Sequence, residues 1–443
     1  MRRNKRKTTK MSLLMMLLLL GIGFAALTAN LKINGTVDVS KASWDVHFEN
    51  VSITEGSVTA TTVPTSDDET TTEMTYAVNF TKPGDFYEFT VDIVNDGSID
   101  AMVDLVTNKV YSSDGETEIT LPNYLKSSVT YIDGSSMFQK QLLEKQTSEK
   151  IKVRVEFKRD INPSDLPSSA DTMMFKFGVD YKQADDTAIS RPTTFEDDDW
   201  DTIIANVKSG NISAYPVGSE KSITITGDFD EDGDSETQQM VLRVANNSMP
   251  SECSTPGFSQ SACGFVLEFE ELIYSRRISP YTNNGSNGDG NIGSWKYSEV
   301  RNYVNTIIYN SLPDNIKNNI IEVDVVTGRG NRDTEEYTTS DYLYLLSTKE
   351  VWGKEGTTNV INNDTADPYT RQLDYYKSQG VTTNSTDGTG AIKKAGSSNA
   401  GWWLRSPDNF YAYPYYYVKP NGNVGNNGIS TYTYGIAPAF RIG

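Results

Sequence analysis

The sequence predicts a mainly β protein with an additional α+β part, and three observations lead to this fold class. Residues 11–31 carry no charged side chain and follow a group of six cations, which predicts an N-terminal transmembrane or signal helix. Apolar and polar residues alternate in several segments of residues 31–186, which predicts an antiparallel β-sandwich. Residues 193–443 combine amphipathic helical patterns with short apolar strands, which predicts an α+β module.

The N-terminal segment indicates export across a membrane. Its 21 uncharged residues are mostly Leu, Met, Ala and Gly, and they are long enough to cross a bilayer. The cationic flank is expected to stay in the cytoplasm, so the rest of the chain faces outward. Residues 1–30 are predicted as a cleaved signal peptide or a retained signal anchor. A cleavage site usually has two small residues separated by one position, but here Ala29 has the larger Leu27 two positions before it, so both alternatives stay open. The predicted location is the extracellular face of the cell membrane, the cell wall or the medium.

The exported part of the chain is strongly acidic. Without the six cations of the first ten residues, 34 basic side chains remain against 59 acidic ones, a net charge of −25. Nucleic acid and anionic lipid are therefore poor partners. The predicted membrane association is through the N-terminal helix alone.

The sandwich prediction, residues 31–186, depends on strict alternation in four segments, which implies one buried face and one wet face. Lys82-Pro83-Gly84-Asp85 and Asn95-Asp96-Gly97 predict turns between them, and seven or eight strands are expected in all. Residues 54–73, rich in Thr, Ser, Asp and Glu, predict a mobile loop, and residues 187–192 predict a linker. The alternating apolar residues are Met74, Tyr76, Val78 and Phe80; Tyr87, Phe89, Val91 and Ile93; Ile151, Val153, Val155 and Phe157; and Phe175, Phe177, Val179 and Tyr181.

The second module, residues 193–443, has four predicted helices. The first follows a Thr194 cap, the second a Ser298 cap, the third a Ser347…Glu350 capping box, and the fourth carries Leu373 and Tyr376. Strands are predicted at residues 222–226, 241–245, 265–269 and 342–346, with a final strand at Ala439–Ile442, and tight turns at residues 421–423 and 426–428.

The aromatic run near the C-terminus is the main candidate binding site. Tyrosine supplies a large contact area with a polar tip, so a solvent-facing set would suit a glycan or a protein. The alternative is a strand whose alternate rings lie in the core. The three consecutive tyrosines 415–417 cannot all face inward from one strand, so at least one is expected to be exposed. The candidate residues are Tyr411, Tyr413, Tyr415, Tyr417, Tyr432 and Tyr434, together with Trp402 and Arg405. For Trp402 and Arg405 the alternative interpretation is that they are core and corner residues that set the packing.

An acidic stretch is the one candidate metal site, and calcium is the one possible cofactor. Asp228, Asp230, Asp232 and Asp234 have the alternate spacing and the neighbouring glycine of a calcium loop. The twelfth position is Gln239 rather than glutamate, so a solvated hairpin tip is the alternative.

Two further residue types bear on function. Cys253 and Cys263 predict either a disulfide across a short loop or two free thiols. His47 is the single histidine and is expected at a wet strand position, so no histidine-based catalytic pair is possible in residues 193–443. We therefore expect no enzyme activity, and a glycosidase that uses two of the many carboxylates is an alternative without specific support.

Several ordered motifs of residues 193–443 resemble a family of surface modules of unknown function in Gram-positive bacteria. That family carries a Trp-Trp-Leu-Arg-Ser-Pro core, found here at residues 402–407, and ends in a Gly-Val-Arg-Pro-Ala-Leu pattern that residues 435–440 match with Ala437 in place of the arginine. Its ending is similar to C-type lectin-like folds, which implies a lectin-like α+β module. The remaining matches are Tyr215-Pro216-Val217-Gly218, residues 242–248, the helix from Trp295 to Asn305, and residues 343–351.

The N-terminal part has its own resemblance. Residues 11–184, with the stretch GDFYEFTVDIVNDGSIDA at residues 84–101, resemble the TasA/camelysin group of biofilm-fibre and surface sandwich proteins. We therefore expect an exported bacterial surface protein whose sandwich presents a lectin-like module for non-catalytic binding of glycan or protein. The alternative is a structural component of a surface layer or biofilm-type fibre that assembles through the sandwich.

Overall fold

The computed structural model describes residues 42–66, 72–112, 115–166, 173–279, 290–353, 360–361, 363–384, 388–412, 414–429 and 432–443. The helix predicted in residues 1–30 lies outside this part of the chain. Within the described ranges, no helix combines the length and the apolar character needed to cross a bilayer. The structure is mainly β and contains several antiparallel sheets, as the alternation predicted.

The N-terminal part of the fold consists of two antiparallel sheets. The first has the order β1-β4-β9-β7, formed by Val46–Gly56, Phe86–Asn95, Thr147–Phe157 and Leu125–Tyr131. The second has the order β2-β3-β10-β5-β6, formed by Ala60–Ser66, Glu73–Val78, Met173–Gln183, Ala101–Tyr111 and Glu118–Ile119, and the short β8 (Leu142–Leu143) pairs with β5.

One apolar cluster lies between these two sheets. Alternate residues of β4 and β9, such as Phe89 and Val153, are buried against Phe177 of β10. The period-two pattern therefore identified the inward residues correctly. The expected loop at residues 54–73 is wrong for its middle, because β2 pairs with β3 there. Threonine is β-branched and suits a strand edge as well as a loop, so composition misled the prediction.

The segment after β10 is tied to the sandwich rather than free. The Leu142 N–H donates to the Ile189 carbonyl at 2.8 Å, and the Ile189 N–H donates to the Lys140 carbonyl at 2.9 Å. The Arg191 guanidinium pairs with Asp133 and with Glu149, and lies 4.1 Å from the centre of a tyrosine ring below it. The predicted linker is thus held by backbone and ionic contacts.

The C-terminal part contains two larger sheets and two hairpins around a second apolar cluster. The strand Ala439–Ile442 lies between the strands Phe265–Phe269 and Ile320–Ile321, so it is inside a sheet, as predicted. The first sheet has the order β11-β12-β13-β25-β15, formed by Glu220–Gly227, Glu236–Asn246, Phe265–Phe269, Ala439–Ile442 and Ile320–Ile321, and the short β18 (Leu343–Tyr344) pairs with β25. The second has the order β14-β24-β21-β22-β23, formed by Tyr274–Arg276, Tyr434–Ile436, Trp402–Pro407, Pro414–Val418 and Val424–Ile429. The hairpins are β16–β17 (Val323–Thr327, Tyr337–Asp341) and β19–β20 (Lys393–Ala395, Ser398–Ala400).

The helices begin close to where the sequence predicted. The Ser298 hydroxyl accepts the Arg301 N–H, and Ser347 forms the predicted capping box with Glu350. The Thr194 cap is wrong: Asp199 caps the first helix, and Thr194 instead closes a turn before it. The helices are α1 (Trp200–Ser209), α2 (Glu299–Tyr303, continued by the π-helical Val304–Ile308 and by Tyr309–Ser311), α3 (Asp314–Lys317), α4 (Thr348–Trp352) and α5 (Asp374–Ser378).

One of the two predicted Asn-Gly turns is present. Gly422, with φ of +83°, lies in the turn between β22 and β23. The turn predicted at residues 426–428 is wrong, because these residues belong to strand β23, in which Gly428 pairs with Tyr415. Pairing with a neighbouring strand overrode the local turn preference.

Candidate ligand-binding site

The WWLRSP strand is structural throughout. Its Arg405 is fully buried and forms a two-pronged ion pair with Glu350, with both N···O distances at 2.5 Å. Burial alone would raise the pKa of Glu350, but the Arg405 guanidinium and several hydrogen bonds hold it below its usual range. Trp402 is buried as well and donates to the Ala391 carbonyl. Neither Trp402 nor Arg405 can reach a ligand in this arrangement, which corrects their place in the predicted site.

The three consecutive tyrosines are all buried, so the expectation that at least one is exposed is wrong. Tyr415 packs on the Trp403 ring and donates to the Ser294 carbonyl. Tyr416 lies on the opposite face, with Asp408 near its hydroxyl, and Tyr417 stacks on Tyr434 with ring centres 4.2 Å apart. The prediction assumed one wet face, whereas this strand is covered on both faces.

The remaining predicted tyrosines lie in two segments: Tyr434 begins strand β24 with Tyr432 just before it, and Tyr411 follows strand β21. Tyr432 is 49% exposed, Tyr434 is half-buried, and Tyr411 is 60% exposed. Tyr413 lies outside the described residues. The predicted site therefore divides, and Tyr411 is its most accessible described member.

The acidic loop lies at the tip of the β11–β12 hairpin. Carboxylate oxygens of Asp228, Asp230, Asp232 and Glu236 lie within 4.8 Å of one another, whereas Asp234 is outside this group. Carboxylates are the ligands that calcium prefers. However, Asp228 already accepts the Asp232 and Gly233 N–H groups, as an ordinary acidic turn does. Calcium binding here stays a prediction.

Cys253 and Cys263 form a disulfide in the structure. The loop that it closes carries two serines into the protein interior. The Ser259 hydroxyl is within 2.7 Å of that of Ser261, and Ser261 donates to the Glu350 carboxylate. The disulfide thus supports the buried ion pair rather than an exposed site.

His47 is nearly buried, which corrects the wet position expected for it. Its two ring nitrogens lie 2.8 Å from Asp45 and 3.0 Å from Glu49. Burial alone lowers its pKa, but these two carboxylates raise the pKa of His47 above its usual value. Hydrogen bonding to both nitrogens gives the ring a structural role.

Among the described residues of the C-terminal part, the most exposed pair of neighbouring aromatic side chains lies just after β21. Phe410 is 70% exposed and its neighbour Tyr411 is 60% exposed. Both belong to residues 408–412, which we call the aromatic loop. Exposed apolar patches with a polar rim are typical of interaction sites, and aromatic residues are enriched among the side chains that carry most of the binding energy.

The backbone of the aromatic loop is held by two asparagines. The Asn291 side-chain amide donates to the carbonyls of Asp408 and Tyr411, both at 2.8 Å, and its backbone N–H donates to that of Ala412 at 3.2 Å. The Asn331 amide donates to the carbonyls of residues 409 and 410 at 2.9 and 3.0 Å. Five consecutive carbonyls of an irregular segment are therefore satisfied from outside it.

The orientation of the Asn291 amide follows from its surroundings. Its nitrogen faces a third carbonyl as well, that of Pro414 at 3.3 Å. Rotating the amide would direct its oxygen at three carbonyl oxygens, so this orientation is the one without repulsion. The side chain is fully buried, which makes these contacts a fixed part of the fold.

The two segments that carry these asparagines, residues 290–297 and 328–337, we call the supporting loops. The Asp333 carboxylate joins them by accepting the N–H groups of Gly293 and Gly330, each at 3.0 Å to one of its oxygens. Tyr337 donates to the same carboxylate, and burial together with Asp333 raises the pKa of Tyr337 to about 12. The supporting loops and the aromatic loop thus form one hydrogen-bonded unit.

Sequence reasoning found Tyr411 but missed Phe410 as a binding residue and both asparagines. Asn291 and Asn331 are separated from the aromatic loop by 78 to 120 residues, and polar Gly/Asn stretches give no sign of which amide turns inward. The nearby Tyr297, 55% exposed, also gave no signal.

Comparison with known proteins supports part of the resemblance. No curated protein and no solved structure matches the chain. The likeness of the N-terminal part to TasA/camelysin proteins, and of the C-terminal part to lectins, therefore stays a prediction. Residues 270–443, which include the aromatic loop and both supporting loops, match the family model described as Domain of unknown function (DUF6273), which is consistent with the C-terminal module of unknown function that the motifs predicted.

Proposed function

We propose that this protein is a non-catalytic recognition protein of the bacterial cell surface, whose lectin-like C-terminal module binds a glycan or a protein through the aromatic loop. One observation carries the proposal: Phe410 and Tyr411 face solvent from a backbone whose carbonyls at residues 408–412 are all hydrogen-bonded. A loop ordered before binding loses little conformational entropy when a ligand arrives, so weak contacts suffice. The surface location rests on the uncharged N-terminal segment of the sequence.

The test is a binding screen with the full chain in detergent, on glycan and peptide arrays. We expect at least one class of ligand to bind the wild-type protein and not to bind the Phe410→Ala/Tyr411→Ala double variant. The matched control is Tyr369→Ala, which removes a tyrosine 43% exposed elsewhere on the module. Ligands that bind both variants equally, or an array without any bound ligand, would oppose the proposal.

A second candidate function, assembly through the sandwich, has one specific observation in its favour. Among the described strands, β1 pairs with β4 alone and so forms the edge of its sheet; it exposes Val51 and Ile53, with Trp44 exposed just before it. An exposed edge with apolar side chains favours strand addition between copies. Light scattering that grows with protein concentration, and that Ile53→Lys abolishes, would support assembly; a monodisperse monomer at all concentrations would oppose it.

A further inference from the structure

We propose that the ligand of the aromatic loop is a neutral sugar residue that stacks its apolar face on Phe410 and Tyr411. This inference rests on the proposed function and narrows it to one ligand class. Three properties of the surface lead to it: the small size of the apolar area, the balance of charges around it, and the rigidity of the loop.

Within the part of the chain that the structure describes, the apolar area around Phe410 and Tyr411 is small. Beside Phe410 and Tyr411, the exposed side chains of the supporting loops are polar or amphipathic, as for Asn331, Lys296 and Tyr297. Protein–protein interfaces have an apolar core ringed by polar residues and bury roughly 800 Å² per partner. Two exposed aromatic side chains at consecutive positions match the size of one or two sugar residues better than such a core.

The charges of the three loops balance. Across residues 290–298, 328–337 and 408–412 there are three cations and four carboxylates, in a chain of net charge −19. Two of the carboxylates are turned inward, because Asp333 accepts supporting-loop N–H groups and Asp408 accepts the Phe410 N–H at 2.7 Å. No sign dominates this surface, so neither an anionic nor a cationic ligand is selected by long-range attraction.

A neutral pyranose has the complementary chemistry. Its axial C–H groups form an apolar face that packs on an aromatic ring, and its hydroxyls need polar groups at the rim. The Tyr411 hydroxyl is a rim group of this kind, and so is the exposed Asn331 side chain, which contacts residues 409 and 410. Sugars make few strong contacts, so a pre-ordered loop matters more for them than for larger ligands.

The test compares neutral and anionic sugars by isothermal titration calorimetry on the full chain in detergent. The probes are chitotetraose and cellotetraose as neutral sugars and tetragalacturonate as an anionic one. We expect a neutral probe to bind with the same affinity at low salt and at about 1 M NaCl, where the Debye length is about 3 Å. Phe410→Ala/Tyr411→Ala should weaken it about tenfold or more, and Tyr369→Ala should leave it unchanged.

Two results overturn the inference, and they separate it from the proposed function. If tetragalacturonate or a peptide binds in a Phe410- and Tyr411-dependent way while neutral sugars do not, the ligand class is wrong and recognition by the loop stands. If no probe and no array ligand depends on Phe410 and Tyr411, both the ligand class and the proposed function fail.

Discussion

Asn291→Ala removes the side chain that holds the aromatic loop, and the structure allows the loss to be worked out. Three carbonyls lose a donor, but that of Pro414 keeps the Asp408 N–H at 3.0 Å. The buried Asp408 carbonyl is left without a partner, which costs about 1–3 kcal/mol, and the partly buried Tyr411 carbonyl loses a bond worth about 0.5–1.5 kcal/mol. We expect the free energy of unfolding to fall by the sum of the two, about 1.5–4.5 kcal/mol.

The exposed partner provides the matched comparison. Asn331→Ala also removes two hydrogen bonds to the loop, but water reaches these carbonyls, so we expect a loss of about 1 kcal/mol or less. Asn399→Ala, at an exposed position of the β19–β20 hairpin, should change neither stability nor the loop.

Two measurements check this prediction on the full chain. Urea unfolding followed by tryptophan fluorescence gives the free energies, and hydrogen exchange of the peptide covering residues 408–412 reports the loop itself. Both asparagine variants should speed exchange there. The reasoning is refuted if Asn291→Ala stays within about 0.5 kcal/mol of wild type, or if exchange of the loop is unchanged in both variants.

Three further predictions concern buried groups. Arg405→Met leaves the Glu350 carboxylate buried without its cation and should lower the free energy of unfolding by about 3–5 kcal/mol in urea titrations. Adding Glu350→Gln removes the unpaired charge and should recover part of this loss. An undiminished loss in the double variant would contradict the ion-pair account. The two cationic partners of Glu268 outweigh the effect of its burial and lower its pKa from the ordinary 4.5 to about 2. The stabilisation that the ionised Glu268 contributes to the fold is therefore fully present above pH 4.5 and is lost as the pH falls through 2. The free energy of unfolding should fall less steeply with decreasing pH in Glu268→Gln than in wild type, as measured by unfolding titrations across this range. Equal slopes in the two proteins would contradict the prediction. Cys253→Ser/Cys263→Ser should lower stability by about 2.5–3 kcal/mol through loop closure, and melting at the wild-type temperature would rule this out.

The parts of the fold that sequence alone predicted are those set by local chemistry. Ser298 and the Ser347–Glu350 pair start helices because hydroxyl and carboxylate groups satisfy nearby N–H groups, and this requires a few neighbouring residues only. The inward residues of the sandwich strands followed from alternation for the same reason. Asp199 shows the limit, because a second capping residue lay five positions from the predicted one.

The parts that sequence missed depend on distant contacts. Burial of all three tyrosines 415–417 requires a sheet covered on both faces, which no pattern within the strand reveals. The support of the aromatic loop by Asn291 joins residues more than a hundred positions apart. Tyr411 could be proposed from its residue type, whereas the order of its backbone could be known only from the fold.

The most direct test of recognition by the aromatic loop is a chemical-shift titration of the full chain with chitotetraose. We predict that the backbone amide signals that move lie in residues 408–412 and in the supporting loops, and that Phe410→Ala/Tyr411→Ala removes these shifts. Shifts centred on the β11–β12 hairpin or on the sandwich, with the aromatic loop unmoved, would contradict the account.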